Sequence, residues 1–224
     1  DQLHNNGSIL GGTYYGVANF SARINVFSNS GAISGTSGGI FNDGTIGSFH
    51  NELGGTINGL ENAASGTITD FKNDGTISKL ENSGAINSST PYGIALTNGG
   101  TITLLENKAS GMIGDVFNIG TINTLNNQGT IGGSIGLING GSVGSGTSMV
   151  SGIGNIGNLI NSGTIAGAGG SGIGNYDGTI STLTNSGTIS SQSSNAIYNN
   201  TGAEITTLNN AVGGVIGSTW SDGI

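Results

Sequence analysis

The chain has 224 residues, a net charge of −8 and only 7% charged residues, against about 25% in ordinary globular proteins. Its four Lys and Arg residues are too few for the basic cluster that nucleic-acid binding requires, and the absence of cysteine excludes disulfides and thiol chemistry. No apolar run reaches the roughly 18 residues of a membrane-spanning helix, so we expect no membrane insertion of this segment.

One phrase recurs along the chain and predicts short β-strands. It reads Gly-Thr-Ile, then an apolar residue that we call the anchor, then Asn two positions after the anchor, and Gly75 to Ile86 contains its tightest version. β-branched residues bracketed by Gly, Asn and Ser favour strands and oppose helix. In chain order the Ile position of the phrase recurs nineteen times, at Ile9, Ile24, Ile33, Ile46, Ile57, Ile68, Ile77, Ile86, Ile102, Ile113, Ile122, Ile131, Val143, Ile156, Ile165, Ile180, Ile189, Ile205 and Ile216.

Two consecutive phrases form the repeating unit. Ile9 and Ile33 lie 24 residues apart, and Ile57 and Ile77 lie 20 apart, which suits the coil of a parallel β-helix. A β-sandwich or barrel would not require the same phrase in every strand, whereas stacked coils do. The sequence therefore predicts an all-β fold, a parallel β-helix (β-solenoid) of roughly nine coils of about 23 residues, forming a single domain over residues 1–224.

The gap between Ile and anchor varies, as expected for insertions in surface corners. Long gaps follow Ile9, Ile33, Val143, Ile165 and Ile189, which are alternate steps, so one side of the solenoid is expected to carry the larger corners. The long gaps after Ile86 and Ile131 do not fit this alternation.

Each position of the phrase has an expected place in the coil. Ile and the anchor point inward and form aliphatic stacks, while Thr points outward. The Asn residues stack into an amide ladder from coil to coil. The Gly two positions before Ile provides either a corner with positive φ or a close approach of two backbones.

The phrases from Leu159 to Ile165 and from Leu183 to Ile189 resemble the Asn-Ser-Gly-Thr-Ile repeats of bacterial autotransporter passenger domains. The variants Tyr92-Gly93-Ile94 and Gly172 to Asn175 are similar to others found there. The resemblance covers nearly the whole chain. It implies a right-handed parallel β-helix, exported across the outer membrane of a Gram-negative bacterium to the cell surface or medium, and a segment of a longer exported protein.

An acidic stack is the strongest candidate for a binding site. Glu61, Glu81 and Glu106 each lie between anchor and Asn in alternate steps, so they should project from one face in three successive coils. Such carboxylates repel one another unless a cation or a lysine such as Lys79 lies nearby. A solvated face that keeps the rod soluble is the alternative interpretation.

Exposed tyrosines are the second candidate, because their rings stack on sugars or on protein partners. Tyr15 and Tyr92 lie in long corners, and Tyr176 and Tyr198 lie near others. The alternative is that these rings only cover the corners of the solenoid.

An enzymatic site has less support in the sequence. A glycan-cleaving β-helix needs paired carboxylates, for which only Asp70 with Asp74 and Asp43 with Glu52 are candidates by proximity. His4 and His50 lack the spacing of a metal site or a catalytic triad. We therefore expect no enzyme activity, no catalytic residue, no cofactor and no metal ion.

These features together predict an adhesin passenger that mediates aggregation, biofilm formation or attachment to a host or surface. Its partner would be a second copy of the chain, or a glycan or protein on another surface. A glycan-cleaving enzyme and a passive scaffold are the alternative functions.

Overall fold

The computed structural model describes residues 1–90, 93–143 and 150–224. Within them the chain forms thirty β-strands and no α-helix, in agreement with the all-β prediction. In the same residues no helix has the length and apolarity needed to cross a membrane.

The strands are short and follow the recurring phrase. In chain order they are β1 Gln2–Asn5, β2 Ser8–Leu10, β3 Tyr15–Asn19, β4 Arg23–Asn29, β5 Ala32–Ser34, β6 Gly38–Asn42, β7 Thr45–Asn51, β8 Thr56–Ile57, β9 Leu60–Asn62, β10 Thr67–Thr69, β11 Phe71–Asn73, β12 Thr76–Asn82, β13 Ala85–Asn87, β14 Ile94–Asn98 and β15 Thr101–Asn107. They continue with β16 Met112–Ile113, β17 Asp115–Asn118, β18 Thr121–Asn127, β19 Thr130–Gly133, β20 Leu137–Asn139, β21 Gly141–Val143, β22 Val150–Gly152, β23 Asn155–Asn161, β24 Thr164–Gly167, β25 Ile173–Asn175, β26 Thr179–Asn185, β27 Thr188–Ser191, β28 Ile197–Asn199, β29 Glu204–Asn210 and β30 Val215–Ser218.

Two parallel sheets receive alternate phrases. A sixteen-stranded sheet, which we call sheet A, holds Ile24 paired with Ile46, and a twelve-stranded sheet, sheet B, holds Ile77 paired with Ile102. Each phrase therefore makes half a coil, and two phrases return the chain to the sheet from which it started. Nine Ile positions stack on each sheet, so the predicted parallel β-solenoid of nine coils is confirmed.

Aliphatic stacks fill the interior between the sheets. Every Ile of the phrase from Ile33 to Ile189 is buried, and the anchors from Phe27 to Ile197 are buried beside them. In sheet A three anchors are aromatic. The Phe27 and Phe49 rings stack with their centroids 5.1 Å apart, and the Phe49 and Phe71 rings with theirs 4.6 Å apart. Because each side chain packs on its own counterpart in the next coil, the stacks require the phrase to repeat.

Two Asn ladders run the length of the rod, one at the end of each sheet. Their members are Asn5, Asn29, Asn51, Asn73, Asn98, Asn118, Asn139, Asn175 and Asn199 on sheet A, and Asn19, Asn42, Asn62, Asn82, Asn107, Asn127, Asn161, Asn185 and Asn210 on sheet B. In every step the Asn Nδ2 donates to Oδ1 of the next Asn at 2.8 to 2.9 Å. The predicted amide ladder is thus present on both sides.

The Gly before Thr-Ile allows the backbones of two successive coils to approach each other closely. A Cβ added to Gly75 would lie 2.2 Å from the Gly55 carbonyl oxygen of the preceding coil, and one added to Gly163 would lie 2.1 Å from the Gly129 carbonyl oxygen. Neither residue has a positive φ. Of the two roles predicted for this position, close approach is therefore the one that the fold uses.

Val143 does not occupy a step of the solenoid, which corrects the count of nineteen. Strands β21 and β22 form an antiparallel hairpin in which Val143 pairs with Val150. This hairpin is an insertion between Asn139 and Gly154 in one corner. Asn139 Nδ2 still donates to the Gly154 carbonyl oxygen at 3.1 Å, the bond that Asn118 makes to Gly120 without an insertion. Eighteen half-coils remain.

The long corners therefore lie on both sides of the rod, and the expectation of one side was wrong. Without Val143, the long gaps after Ile9 and Ile33 belong to sheet B, where Ile9 pairs with Ile33. The gap after Ile86 belongs to sheet A, as do the later ones after Ile131, Ile165 and Ile189. Without the falsely counted phrase, the steps of Ile86 and Ile131 agree with the later long corners on sheet A, whereas those of Ile9 and Ile33 remain on sheet B.

Two aspartates hold the longer corners on sheet A in place. Asp115 is buried and accepts hydrogen bonds from the backbone N–H groups of Ser134, Ile135 and Gly136 at 2.7 to 3.0 Å. Asp70 accepts one from the Ser89 N–H at 2.9 Å. In each case a carboxylate of one coil accepts hydrogen bonds from backbone N–H groups in a corner of the next coil.

Candidate functional site

The acidic stack forms on sheet B as expected. Glu61 pairs in register with Glu81, and Glu81 pairs with Glu106, so the three side chains project from successive coils. The same column continues to Phe41 before Glu61 and to Asn126 after Glu106. One outward column thus changes from aromatic through acidic to amide along the rod.

Two lysines neutralise the later part of the stack. Lys79 forms ion pairs with Glu81 and, at 3.4 Å, with Glu106. Lys108 contacts Glu106 at 2.9 Å and Glu81 at 3.7 Å. The hydrogen bond from Lys108 lowers the pKa of Glu106, and the bond to Glu81 raises the pKa of Lys79. These two carboxylates therefore share two cations.

Glu61, the first carboxylate of the stack, is bound by Tyr15. The Tyr15 hydroxyl donates a hydrogen bond to Glu61 Oε2 from two coils earlier. This bond, followed by burial and the charges of Glu61 and Glu81, raises the pKa of Tyr15 to about 12. The structure thus joins two predicted site residues that lie 46 positions apart in the chain.

Phe41 extends this cluster into an aromatic group. Its ring centroid lies 5.2 Å from that of Tyr15 and 5.4 Å from that of Phe20, both at tilted angles. Phe20 is 68% exposed. Beside Tyr15 the surface dips into a recess, which we call the aromatic recess. It is lined by Tyr15, Ser37, Gly38, Gly59, Leu60, Glu61, Lys79 and Glu81.

Two other tyrosines predicted as binding residues lie at sheet A, toward the other end of the rod from Tyr15. Tyr176 and Tyr198 pack against each other with ring centroids 5.4 Å apart. Burial, followed by the charge of Tyr198, raises the pKa of Tyr176. Tyr198 donates to Asn200 Oδ1 at 3.1 Å. Tyr92, also predicted as a binding residue, lies outside the described residues.

Phe117 and Ile138 add an apolar patch in the neighbouring coils. They occupy the same outward column as Tyr198, because Phe117 pairs with Ile138, Ile138 with Gly174 and Gly174 with Tyr198. Each is nevertheless only 1% exposed. The two tyrosines thus border a covered apolar surface, and do not join the acidic stack.

The carboxylates considered for an enzyme each have a separate partner. Asp74 accepts from Lys72 at 2.6 Å and contacts His50 Nε2 at 2.8 Å. Burial acts to raise the pKa of Asp74, but Lys72 and His50 outweigh burial and lower it. Asp70 holds the Ser89 N–H, the Ser65 hydroxyl donates to Asp43, and the Ser28 hydroxyl donates to Glu52.

Groups of three or more His, Asp or Glu side chains with metal-site geometry are not found in the described part of the chain. His4 contacts Gln2 at 3.2 Å. The acidic stack therefore consists of carboxylates already bound by Lys79, Lys108 and Tyr15.

The sequence predictions missed several members of these groups. Lys108, Phe20 and Phe41 were not selected as site residues, and His50 was given no partner. The coil length is the feature of the sequence that could have predicted these contacts. His50 and Asp74 are 24 residues apart, close to one coil, and Tyr15 and Glu61 are two coils apart. Aligning the sequence at the coil repeat would place these residues together.

Comparison with known proteins gives no family. No family model matches the chain, and neither curated proteins nor solved structures include a significant match.

Proposed function

We propose that the chain is the rod-shaped passenger of an exported bacterial adhesin, which acts by binding and not by catalysis. Its partner in aggregation would be a second copy of the chain at the cell surface. Support comes from the β-solenoid, because stacked coils present long, regular outer faces to a neighbouring molecule.

One outer face of sheet B carries the proposal, and we call it the polar face. It comprises the outward residues of β18, β23, β26 and β29, arranged in straight rows across the coils. The rows are Thr121, Asn155, Thr179 and Glu204; Thr124, Asn158, Thr182 and Thr207; and Asn126, Ile160, Thr184 and Asn209.

The chemistry of these rows suits side-by-side association. Hydroxyl and carboxamide groups both donate and accept hydrogen bonds, so the face is complementary to itself. Apart from Glu204 in the last coil, the rows contain no charged residue, so two copies meet with little like-charge repulsion. Many weak contacts, repeated from coil to coil, add their contributions when the faces align.

Clumping of cells that display the chain tests this function. The chain is attached to a non-clumping bacterium through a foreign surface anchor, and settling is followed by turbidity. We expect the wild-type chain to cause settling. The triple variant Thr124→Lys, Asn158→Lys and Thr182→Lys should abolish it, because the lysines of two copies repel each other.

The matched control places two lysines on sheet A and one in the corner that follows β27, at Asn87→Lys, Thr130→Lys and Gln192→Lys, all of which are exposed. This variant should settle like the wild type. Absence of settling by the wild-type chain, together with cleavage of a glycan panel, would contradict the proposal and favour the enzyme.

A further inference from the structure

The aromatic recess has the features of a small-molecule site. It encloses about 80 Å³, well below the roughly 300 Å³ of enclosed ligand pockets, so a ligand would rest partly in it and partly on the surface beside it. It spans the first to fourth coils of sheet B, from Tyr15 to Lys79, and the polar face begins only two coils further along the rod. Its composition differs from the Thr and Asn rows of that face.

A missing side chain opens the recess. Gly59 precedes the anchor Leu60, where the next coil has Lys79 before Leu80. A Cβ added to Gly59 would meet nothing closer than the Gly38 Cα at 3.6 Å. Backbone packing therefore does not require Gly at this position, and its effect is to leave space above the sheet.

Aromatic rings form one wall and extend beyond it. Tyr15 is fixed by its hydrogen bond to Glu61, and Phe41 packs between Tyr15 and Phe20. The Phe20 ring, 68% exposed, is large apolar surface left in water. Exposed aromatic surface beside a polar rim marks a binding site, and such rings stack on the apolar face of a sugar.

The opposite wall supplies both acceptors and a donor. Glu61 and Glu81 accept hydrogen bonds, and the Lys79 ammonium donates. A hydroxylated ring offers both kinds of group and matches this mixture. A cationic ligand is less suitable, because Lys79 and Lys108 already pair with Glu81 and Glu106. An anionic ligand meets three carboxylates against two ammonium groups, on a chain whose net charge is −8.

We propose that the aromatic recess binds an uncharged pyranose residue of a glycan. This inference deepens the proposed function, on which it rests, by adding a sugar ligand on another surface to the association of two copies. The ring would stack on Tyr15, the aromatic residue that lines the recess, beside the exposed Phe20, and place its hydroxyl groups against Glu61 and Lys79.

Saturation-transfer NMR and calorimetry on the purified chain test the proposal. The probes are a panel of uncharged trisaccharides (cello-, malto-, xylo-, manno- and N-acetylchitotriose), an anionic heparin tetrasaccharide and cationic trilysine. We expect at least one uncharged probe to bind with a Kd of about 1 mM, and neither charged probe to compete.

Two variants locate the binding. Gly59→Leu fills the recess and should weaken binding at least tenfold, and Phe20→Ala removes an exposed ring and should weaken it about fivefold. The controls Gly217→Leu, where an added Cβ meets nothing within 4 Å, and Trp220→Ala, which removes another exposed aromatic ring, should bind like the wild type. Phe20→Ala keeps the test valid if Gly59→Leu fails to fold by circular dichroism.

The inference is overturned if no uncharged probe binds, if only trilysine or heparin binds, or if Gly59→Leu binds the sugar with unchanged affinity. Its failure is separable from failure of the proposed function. Gly59→Leu should leave cell settling unchanged, whereas the triple lysine variant of the polar face should leave sugar binding unchanged.

Discussion

Each interior ladder Asn is bound on every side within the protein. Asn82 accepts from Asn62 Nδ2 and donates to Asn107 Oδ1, to the Gly84 carbonyl and to the Met112 carbonyl, at 2.8 to 3.2 Å. Its side chain is completely buried. Burying such a polar side chain costs little free energy while all its hydrogen bonds form. The cost becomes large when one hydrogen-bond partner is lost.

The substitution Asn82→Ala should lower the free energy of unfolding by about 3 to 5 kcal/mol, because it leaves the Asn107 oxygen without its donor and removes the Asn82 acceptor of Asn62 Nδ2 in the interior. Urea denaturation followed by circular dichroism measures the change. Asn123, an exposed Asn in β18 of the same sheet, provides the control, and Asn123→Ala should change stability by less than about 0.5 kcal/mol. Equal effects of the two substitutions would show that the ladder contributes nothing.

Tyr15 should titrate separately from ordinary tyrosines in alkaline solution. Its pKa is raised from 10.0 to about 12, first by the bond to Glu61. The stabilisation belongs to the protonated phenol, so it is fully present below pH 10.0 and is lost as the pH rises through about 12. Tyrosinate absorbance should show a late step near pH 12 from Tyr15, apart from the delayed titration of Tyr176, whose pKa burial also raises.

Glu61→Gln should move this late step back toward pH 10, because the charge that opposes phenolate formation is removed. Tyr15→Phe should abolish the step and leave the titration of the other four tyrosines. A step near pH 12 that persists in Tyr15→Phe would assign it to another tyrosine.

The sequence predicts residues within a phrase better than residues between phrases. Inward Ile and anchor residues and the ladder Asn could be predicted because their spacing is local. The contact of Tyr15 with Glu61, and that of His50 with Asp74, depends on the length of every corner in between, which the phrase does not determine. The outward stack of Glu61, Glu81 and Glu106 was predictable because these residues share one position of the phrase.

At the scale of the element, the hairpin of β21 and β22 shows how a phrase can mislead. Gly141-Ser142-Val143 matches Gly-Thr-Ile in residue type, yet it pairs antiparallel with β22. Gly140 and Gly141 both have positive φ, 74° and 83°, which turns the chain out of the coil. Ile153 and Asn155 match the anchor and the Asn of the phrase, but Asn155 directly precedes Ile156, whereas a true step leaves at least three residues for the corner, as between Asn161 and Ile165. This missing corner is the signal that was present in the sequence.

Deletion of residues 141–153 should therefore leave the solenoid intact. The remaining corner, Asn139-Gly140-Gly154, has the same length as Asn118-Ile119-Gly120, and the ladder bond from Asn139 to Gly154 is retained. We expect an unchanged β-sheet circular dichroism spectrum and a loss of stability within about 2 kcal/mol, the cost of exposing one apolar side chain. Loss of the cooperative unfolding transition would mean that the hairpin is part of the core.

At the scale of the whole molecule, the strands of each coil pair with those of the adjacent coils, so stability is approximately a sum over coils and interfaces, with the Tyr15–Glu61 bond across two coils as an exception. Deletion of residues 63–82, one coil of 20 residues between two ladder Asn, joins Asn62 to Ser83 and restores the phrase. The shorter rod should fold and lose about 1 kcal/mol, roughly a ninth of ordinary domain stability. Thermal and urea denaturation measure the loss.

The control deletion of residues 63–85 removes three more residues and joins Asn62 directly to Ile86. The chain then lacks the corner that carries it from one sheet to the other, so this variant should not unfold cooperatively. If both deletion variants unfold with the same cooperativity, the position of the junction within the coil does not determine whether the chain folds.

The stacking direction also determines how the rod would yield to force. The hydrogen bonds between coils run along the rod axis, so tension applied to its two ends loads one interface at a time, and coils would unravel in sequence. A coil of 24 residues, such as that from Asn161 to Asn185, would release roughly 80 Å of chain. The coil from Asn139 to Asn175, with 36 residues, would release roughly 120 Å. The hairpin would thus appear as a single longer extension step, and would serve as an internal marker of position in a single-molecule pulling trace.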